Sequence, residues 1–153
     1  MRCRSVPGWG VTIGCLSLLT GCMGGELLHR FTFSPEAIEA QQTSLSLRKG
    51  ERLQFWNSLD VSYQKGTALT FKIEVKPDNG KEESTVICDA LNPSLTIMSA
   101  TVEHNSSISK SWKQARMNCS FGPLSETQTV SITALPAASG PVQVKRLILE
   151  VKR

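Results

Sequence analysis

The sequence lacks the motifs of the common catalytic and metal-binding chemistries. It has only two histidines, His29 and His104, without metal-ligand spacing, and no CxxC pair. It also has no GxSxG nucleophile elbow and no glycine-rich phosphate loop. Acidic residues such as Asp60, Asp89 and Glu103 are scattered, so they do not indicate the carboxylate pair of a glycoside hydrolase. We therefore expect a protein that is not an enzyme and that holds no cofactor and no metal.

The sequence also carries little net charge. Its formal charge is +4, and Arg2 and Arg4 at the N-terminus contribute two of the basic residues. Without these two, 15 basic and 13 acidic residues remain, which is a net charge of +2. This balance is too weak to indicate a nucleic-acid partner. The 40% hydrophobic and 20% charged residues are typical of one globular domain.

The uncharged stretch between Arg4 and Glu26 is long enough for a membrane-spanning helix, but proline and glycine residues interrupt it and only its centre is densely apolar, so its composition argues against a span. The strongest run, Val11–Leu19, covers nine residues and follows the positive charges of Arg2 and Arg4. A spanning helix needs about 20 predominantly apolar residues, whereas about 7–15 suffice for the apolar region of a secretory signal. This pattern therefore predicts a cleavable leader at the N-terminus.

The end of this leader, Leu19-Thr20-Gly21-Cys22, resembles the lipobox of bacterial lipoproteins. The resemblance covers the leader only. It implies that residues 1–21 are a cleaved signal peptide and that the Cys22 thiol, the nucleophile, takes a diacylglyceryl group. Two or three acyl chains then anchor the protein stably to a membrane of the cell envelope. The absence of Asp after Cys22 implies the outer membrane, where the organism has one.

The cysteine count agrees with this interpretation. Of the five cysteines, Cys3 and Cys15 leave with the leader and Cys22 carries the lipid, so that Cys88 and Cys119 remain. In an oxidising compartment this even pair predicts a disulfide. The bridge would close a loop of about 30 residues, worth about 3 kcal/mol in the loop-entropy model. Two buried free thiols are the alternative.

The mature chain shows the alternation of an all-β domain. After a short tether, residues 22–26, residues 27–153 consist of short alternating runs separated by turn residues. The segment 68–76, ALTFKIEVK, is the clearest strand, and a change of phase near residues 145–146 predicts a bulge. Ser34 and Pro35 indicate a helical turn. We predict a two-sheet antiparallel sandwich, jelly-roll or immunoglobulin-like, with about eight or nine strands.

Aromatic and polar residues close together indicate a candidate ligand site. If Phe55 faces the core, the neighbouring Trp56 faces outward, where an indole can stack on a sugar ring. The candidate ligand-binding residues are Trp56, Asn57, Asp60, Tyr63 and Trp112. The basic residues Lys110, Lys113 and Arg116 either meet anionic groups such as lipid heads or serve as ordinary solubility charge.

Three hypotheses about function follow. The first is a non-enzymatic interaction module of the cell envelope that binds a protein partner and assists a secretion or envelope assembly. This hypothesis rests only on analogy with other small lipoproteins of similar size and cellular location. The second is a carbohydrate-binding lipoprotein that recognises cell-wall or surface glycans. The third, a small envelope hydrolase, has the least support.

Intact-mass spectrometry of the protein purified from its own membranes tests the leader and the cysteine assignment. We expect the mass of residues 22–153 plus acyl chains, because cleavage precedes Cys22 and the lipid is attached to its thiol. Reduction should add the mass of two hydrogens as the disulfide opens. A full-length mass without lipid would show that the lipobox match is accidental.

Overall fold

The structure, a computed structural model, describes residues 24–153. The predicted signal peptide and the predicted lipidation site, Cys22, lie outside this range. Within it the chain contains no helix, and therefore none that is long and apolar enough to cross a membrane. The nine strands of the described range are β1 (Leu27–Thr32), β2 (Gln41–Leu47), β3 (Leu53–Gln64), β4 (Leu69–Pro77), β5 (Ser84–Asp89), β6 (Leu95–His104), β7 (Ser107–Phe121), β8 (Gln128–Ala138) and β9 (Val142–Lys152).

The strands form two antiparallel sheets that enclose one hydrophobic core. Sheet A has five strands in the order β1-β9-β3-β7-β6, and sheet B has four in the order β2-β8-β4-β5. Side chains from both sheets contribute to the core between them. The predicted all-β, two-sheet antiparallel sandwich with eight or nine strands is therefore confirmed.

Strand β4 shows how the sequence produces this arrangement. Leu69, Phe71, Ile73 and Val75 are buried, whereas the residues between them are half-buried or exposed. Successive side chains of a strand point to opposite faces, so this alternation places one apolar face on the core and one polar face in solvent.

The bulge predicted in the last strand is present. Asp60 of β3 pairs with Arg146 of β9, and the next residue, Val61, pairs with Val144, which leaves Lys145 without a partner in β3. The extra residue shifts the phase of β9. Apolar residues on both sides of it therefore face the core.

The helical turn predicted at Ser34 and Pro35 is absent, because the chain there forms only bends. The Ser34 hydroxyl accepts a hydrogen bond from the backbone N–H of Glu36, as an N-cap would, but no helix follows. This segment leads from β1 in sheet A to β2 in sheet B. Phe33 is held in the core, so the remaining residues must cross between two layers about 10 Å apart.

Cys88 and Cys119 form a disulfide that joins the two sheets. Cys88 lies on β5, the edge strand of sheet B, and Cys119 lies on β7 of sheet A. The two Cα atoms are 5.5 Å apart, and Cys88 is fully buried. The predicted pairing is therefore present, and it fixes the edge of sheet B against the fourth strand of sheet A.

Removing the bridge tests its contribution to stability. The double variant Cys88→Ala/Cys119→Ala is expected to lose about 3–4 kcal/mol of unfolding free energy, because the unfolded chain is no longer closed into a loop. Urea denaturation with and without reductant measures the loss, and reductant should leave the variant unchanged. Equal stability of variant and oxidised wild type would contradict this expectation.

Candidate functional site

The five candidate ligand residues do not form one site. In β3, Asn57 and Tyr63 point into the core, whereas Trp56 and Asp60 belong to the opposite, outer face of sheet A. Trp112 of β7 lies in the core cluster as well. The strand period of two separates side chains that are close in sequence.

Asn57 and Trp112 act together inside the core. The Trp112 indole Nε1 donates a hydrogen bond of 2.6 Å to Asn57 Oδ1, and Asn57 Nδ2 donates one of 3.0 Å to the Ala90 carbonyl. A buried polar group needs such partners, and here they link β3, β7 and the chain after β5. In contrast to the sequence expectation, neither side chain presents a surface to a ligand.

Trp56 lies on the outer face, opposite Phe55, but its indole is not open for stacking. Only 3% of the residue is exposed. Gly24 lies so close that a Cβ there would be 3.0 Å from Trp56 Cζ2, and Lys152 Nζ lies 4.5 Å from the ring centroid. The glycine and the lysine side chain cover the indole, which leaves too little exposed area for a sugar ring to stack on.

Asp60 and Tyr63 also differ from the expectation of a shared site. Asp60 is half-buried opposite Arg146, whose guanidinium instead donates to the carbonyls of Leu59 and Trp112 at 3.1 and 3.0 Å. Tyr63 is buried at the far end of β3. These contacts stabilise the sheet and bring no two candidate residues into a binding geometry.

A buried ionic cluster occupies the outer face of sheet A. Glu150 accepts hydrogen bonds from Arg30 at 2.6 Å and Gln114 at 3.1 Å, and its carboxylate lies 3.2 Å from Lys152 Nζ. The side chains of Glu150 and Lys152 are 8% and 6% exposed. Burial raises the pKa of Glu150, but the hydrogen bonds from Arg30, Gln114 and Lys152 outweigh it and hold the pKa below its ordinary value.

Strand β6 is the least covered element of the described chain. It pairs only with β7, and sheet B ends at β5, one strand short of it. Three of its apolar side chains are largely exposed: Leu95 (45%), Met98 (71%) and Val102 (63%). The sequence indicated a strand here but did not reveal that a sheet of four strands would leave it uncovered.

The surface beside β6 is positively charged. Lys113 and Arg116 of β7 are exposed, and Lys110 Nζ donates to the Leu91 carbonyl at 3.1 Å. The only acidic residue of β6 is Glu103. An approaching segment therefore meets an open strand edge, apolar side chains and nearby cations.

No cluster of three or more potential metal ligands occurs among the described residues. Comparison of the chain with protein-family models, with curated proteins and with solved structures found no match.

The ionic cluster predicts an acid-dependent contribution to stability. The pKa of Glu150 lies below its ordinary value of 4.5 in the folded state, so its stabilising effect is complete above about pH 4.5. The effect is lost as the pH falls through the folded-state pKa. Glu150→Gln should cost about 3 kcal/mol at neutral pH, because Lys152 stays buried without its carboxylate, and should flatten the acid dependence. Urea denaturation across this pH range measures both.

The matched control is Glu126→Gln, which removes an exposed carboxylate paired with Lys81. It should change stability at neutral pH much less than Glu150→Gln. If Glu150→Gln lost stability in acid as steeply as the wild type, the ionic cluster would not be the source of the acid dependence.

Proposed function

We propose that this protein is a membrane-anchored bacterial lipoprotein whose sandwich is a non-enzymatic interaction module of the cell envelope. Its partner is an extended segment of another envelope protein that adds to sheet A along β6. The observation that carries the proposal is the open edge of β6 together with its exposed apolar side chains. Such a module suits a role in a secretion or envelope assembly.

The edge of β6 has few of the features that protect natural edge strands. An unpaired edge presents free N–H and C=O groups, and proteins usually shield it with lysine, proline, a bulge or a covering element. Residues 95–104 contain no lysine and no proline, and within the described chain no element covers them. Met98, with a φ of 53°, is the one interruption. The continuous edge offered to a partner is therefore residues 99–104.

The chemistry of this edge defines the partner. Addition of a strand satisfies the free backbone groups, and side-chain contacts supply specificity. Val102 offers an apolar contact. Of the β7 cations only Lys110 pairs with a residue of this edge, Thr101, and the edge itself carries Glu103, so its charges favour neither sign. We therefore expect an extended segment with alternating apolar residues.

The carbohydrate-binding alternative receives no such support. Both Trp56 and Trp112 are covered, so the described domain lacks the exposed aromatic platform on which that hypothesis depends.

A photo-cross-linking residue at Val102 tests this proposal in intact cells. We expect cross-links that map to one extended segment of a second envelope protein, because the side chain lies on the edge of β6. The same residue at Leu135, on the outer face of sheet B, is the control and should give none to that segment. The corresponding synthetic peptide should then slow hydrogen exchange of β6 amides.

The variant Val102→Lys should weaken binding of that peptide about tenfold, since it replaces buried apolar surface of about 1.5 kcal/mol by a charge. Ile87→Lys, at another exposed position on an edge strand, should leave the affinity unchanged. Cross-links between two copies of this chain would show that β6 mediates self-association, and the proposal of a second envelope protein as partner would be wrong. Equal weakening by both variants would contradict docking at β6.

A further inference from the structure

We propose that one corner of the sandwich rests directly on the membrane, with Arg52 and Arg116 contacting anionic phospholipid headgroups. The corner consists of residues 24–26, the end of β9, the start of β6 and these two arginines. This inference depends on the proposed lipidation of Cys22, because the distance between lipid and domain is its first step.

The chain is fixed to the domain almost as far as the proposed lipid. Glu26 exchanges two backbone hydrogen bonds with Arg153, of 2.9 and 3.0 Å. Its carboxylate also accepts two hydrogen bonds from the Arg153 guanidinium, of 2.9 and 3.1 Å. Gly24 then lies against the Trp56 indole on the outer face of sheet A. Three of the five residues of the predicted tether, residues 22–26, are therefore part of the folded domain.

This attachment limits how far the domain can stand from the bilayer. Two residues beyond Gly24 reach at most about 7 Å, whereas a free tether of five residues would reach about 17 Å. The side chains that surround Gly24 must therefore lie close to the membrane surface. Gly24 lies at the end of sheet A where β9 ends and β6 begins, so that end of the sheet is directed toward the lipid.

The surface around Gly24 has the chemistry for such a contact. A concavity of about 310 Å³ is lined by Gly24, Trp56, Leu95 and Arg116 among others, and Leu95 is 45% exposed. Arg52 and Arg116 line an adjoining concavity of about 320 Å³. Apolar and cationic side chains beside each other match the boundary between acyl chains and anionic headgroups.

The two arginines differ from the other basic groups at this corner. Arg153 is paired with Glu26 and Glu51, and Lys152 is paired with Glu150. Arg52 and Arg116 are exposed and form no ion pair with a carboxylate of the described chain. Their charge is therefore available to lipid phosphates. Each arginine should favour the docked orientation about fivefold on an anionic surface.

The orientation agrees with the proposed docking of a protein at β6. Leu95, where β6 begins, pairs with Arg116 at the membrane corner. From this corner the strand extends for nine further residues, about 30 Å. Residues 99–104 therefore remain accessible while the other end of the strand is at the lipid surface.

The experiment uses the lipidated protein, its mass verified, in phosphatidylcholine vesicles with and without phosphatidylglycerol. A fluorophore is attached through Leu95→Cys at the corner or through Leu135→Cys on the outer face of sheet B. Nitroxide groups on lipid headgroups serve as quenchers. We expect strong quenching of the label at position 95, increased by phosphatidylglycerol, and little quenching at position 135.

The charge contribution is measured with Arg52→Gln and Arg116→Gln. Each should lower the docked-to-free ratio about fivefold in anionic vesicles and leave it unchanged in phosphatidylcholine alone. Lys145→Gln removes the same charge from the other end of β9 and should have no effect. Equal quenching at both label positions of a lipidated protein would overturn the orientation alone. A purified protein without the lipid mass would overturn the lipidation, and this inference with it.

Discussion

The disulfide between Cys88 and Cys119 determines how the two sheets overlap, and this overlap determines which surface remains open. It fixes β5, the edge strand of sheet B, opposite β7, the fourth strand of sheet A. Sheet A has one more strand, so β6 extends past the covered area. The Trp112–Asn57–Ala90 hydrogen bonds hold the same region from inside the core. The inner face of β6 is therefore left uncovered by the overlap, and its edge is open because β6 is the last strand of sheet A.

Near Gly24, the outer face of sheet A is covered by its own long side chains. Arg30, Gln114 and Lys152 surround Glu150, and Lys152 with Gly24 covers Trp56. Long side chains with apolar stems and charged ends can cover a sheet in this way, provided that the buried charges are paired. The same contacts that hide the indole hold Gly24 against sheet A, so this end of the domain has a defined surface.

Sequence patterns predicted the features that depend on local periodicity and on residue counts. The alternation in β4, the bulge at Lys145 and the Cys88–Cys119 pair are of this kind, because period, phase and cysteine parity are readable without the fold. The helical turn at Ser34 was wrong because the crossing between sheets outweighed a weak capping signal. The ligand cluster did not assemble, since adjacent strand residues face opposite sides. The sequence could not predict that β6 is exposed, because its exposure depends on how the other strands are arranged in the two sheets.

The corner at Gly24 connects the two proposals physically. A lipid attached within about 7 Å of a rigid domain removes most of its freedom to tumble, so a docking edge is presented at a defined height and direction. In the proposed orientation β6 begins at the membrane corner, and its open edge, residues 99–104, lies about 13–30 Å from it. A partner that is itself held at the membrane then meets β6 already oriented, and less orientational freedom is lost on binding. A modest edge of six residues can therefore suffice, provided that lipid and partner occupy the same membrane.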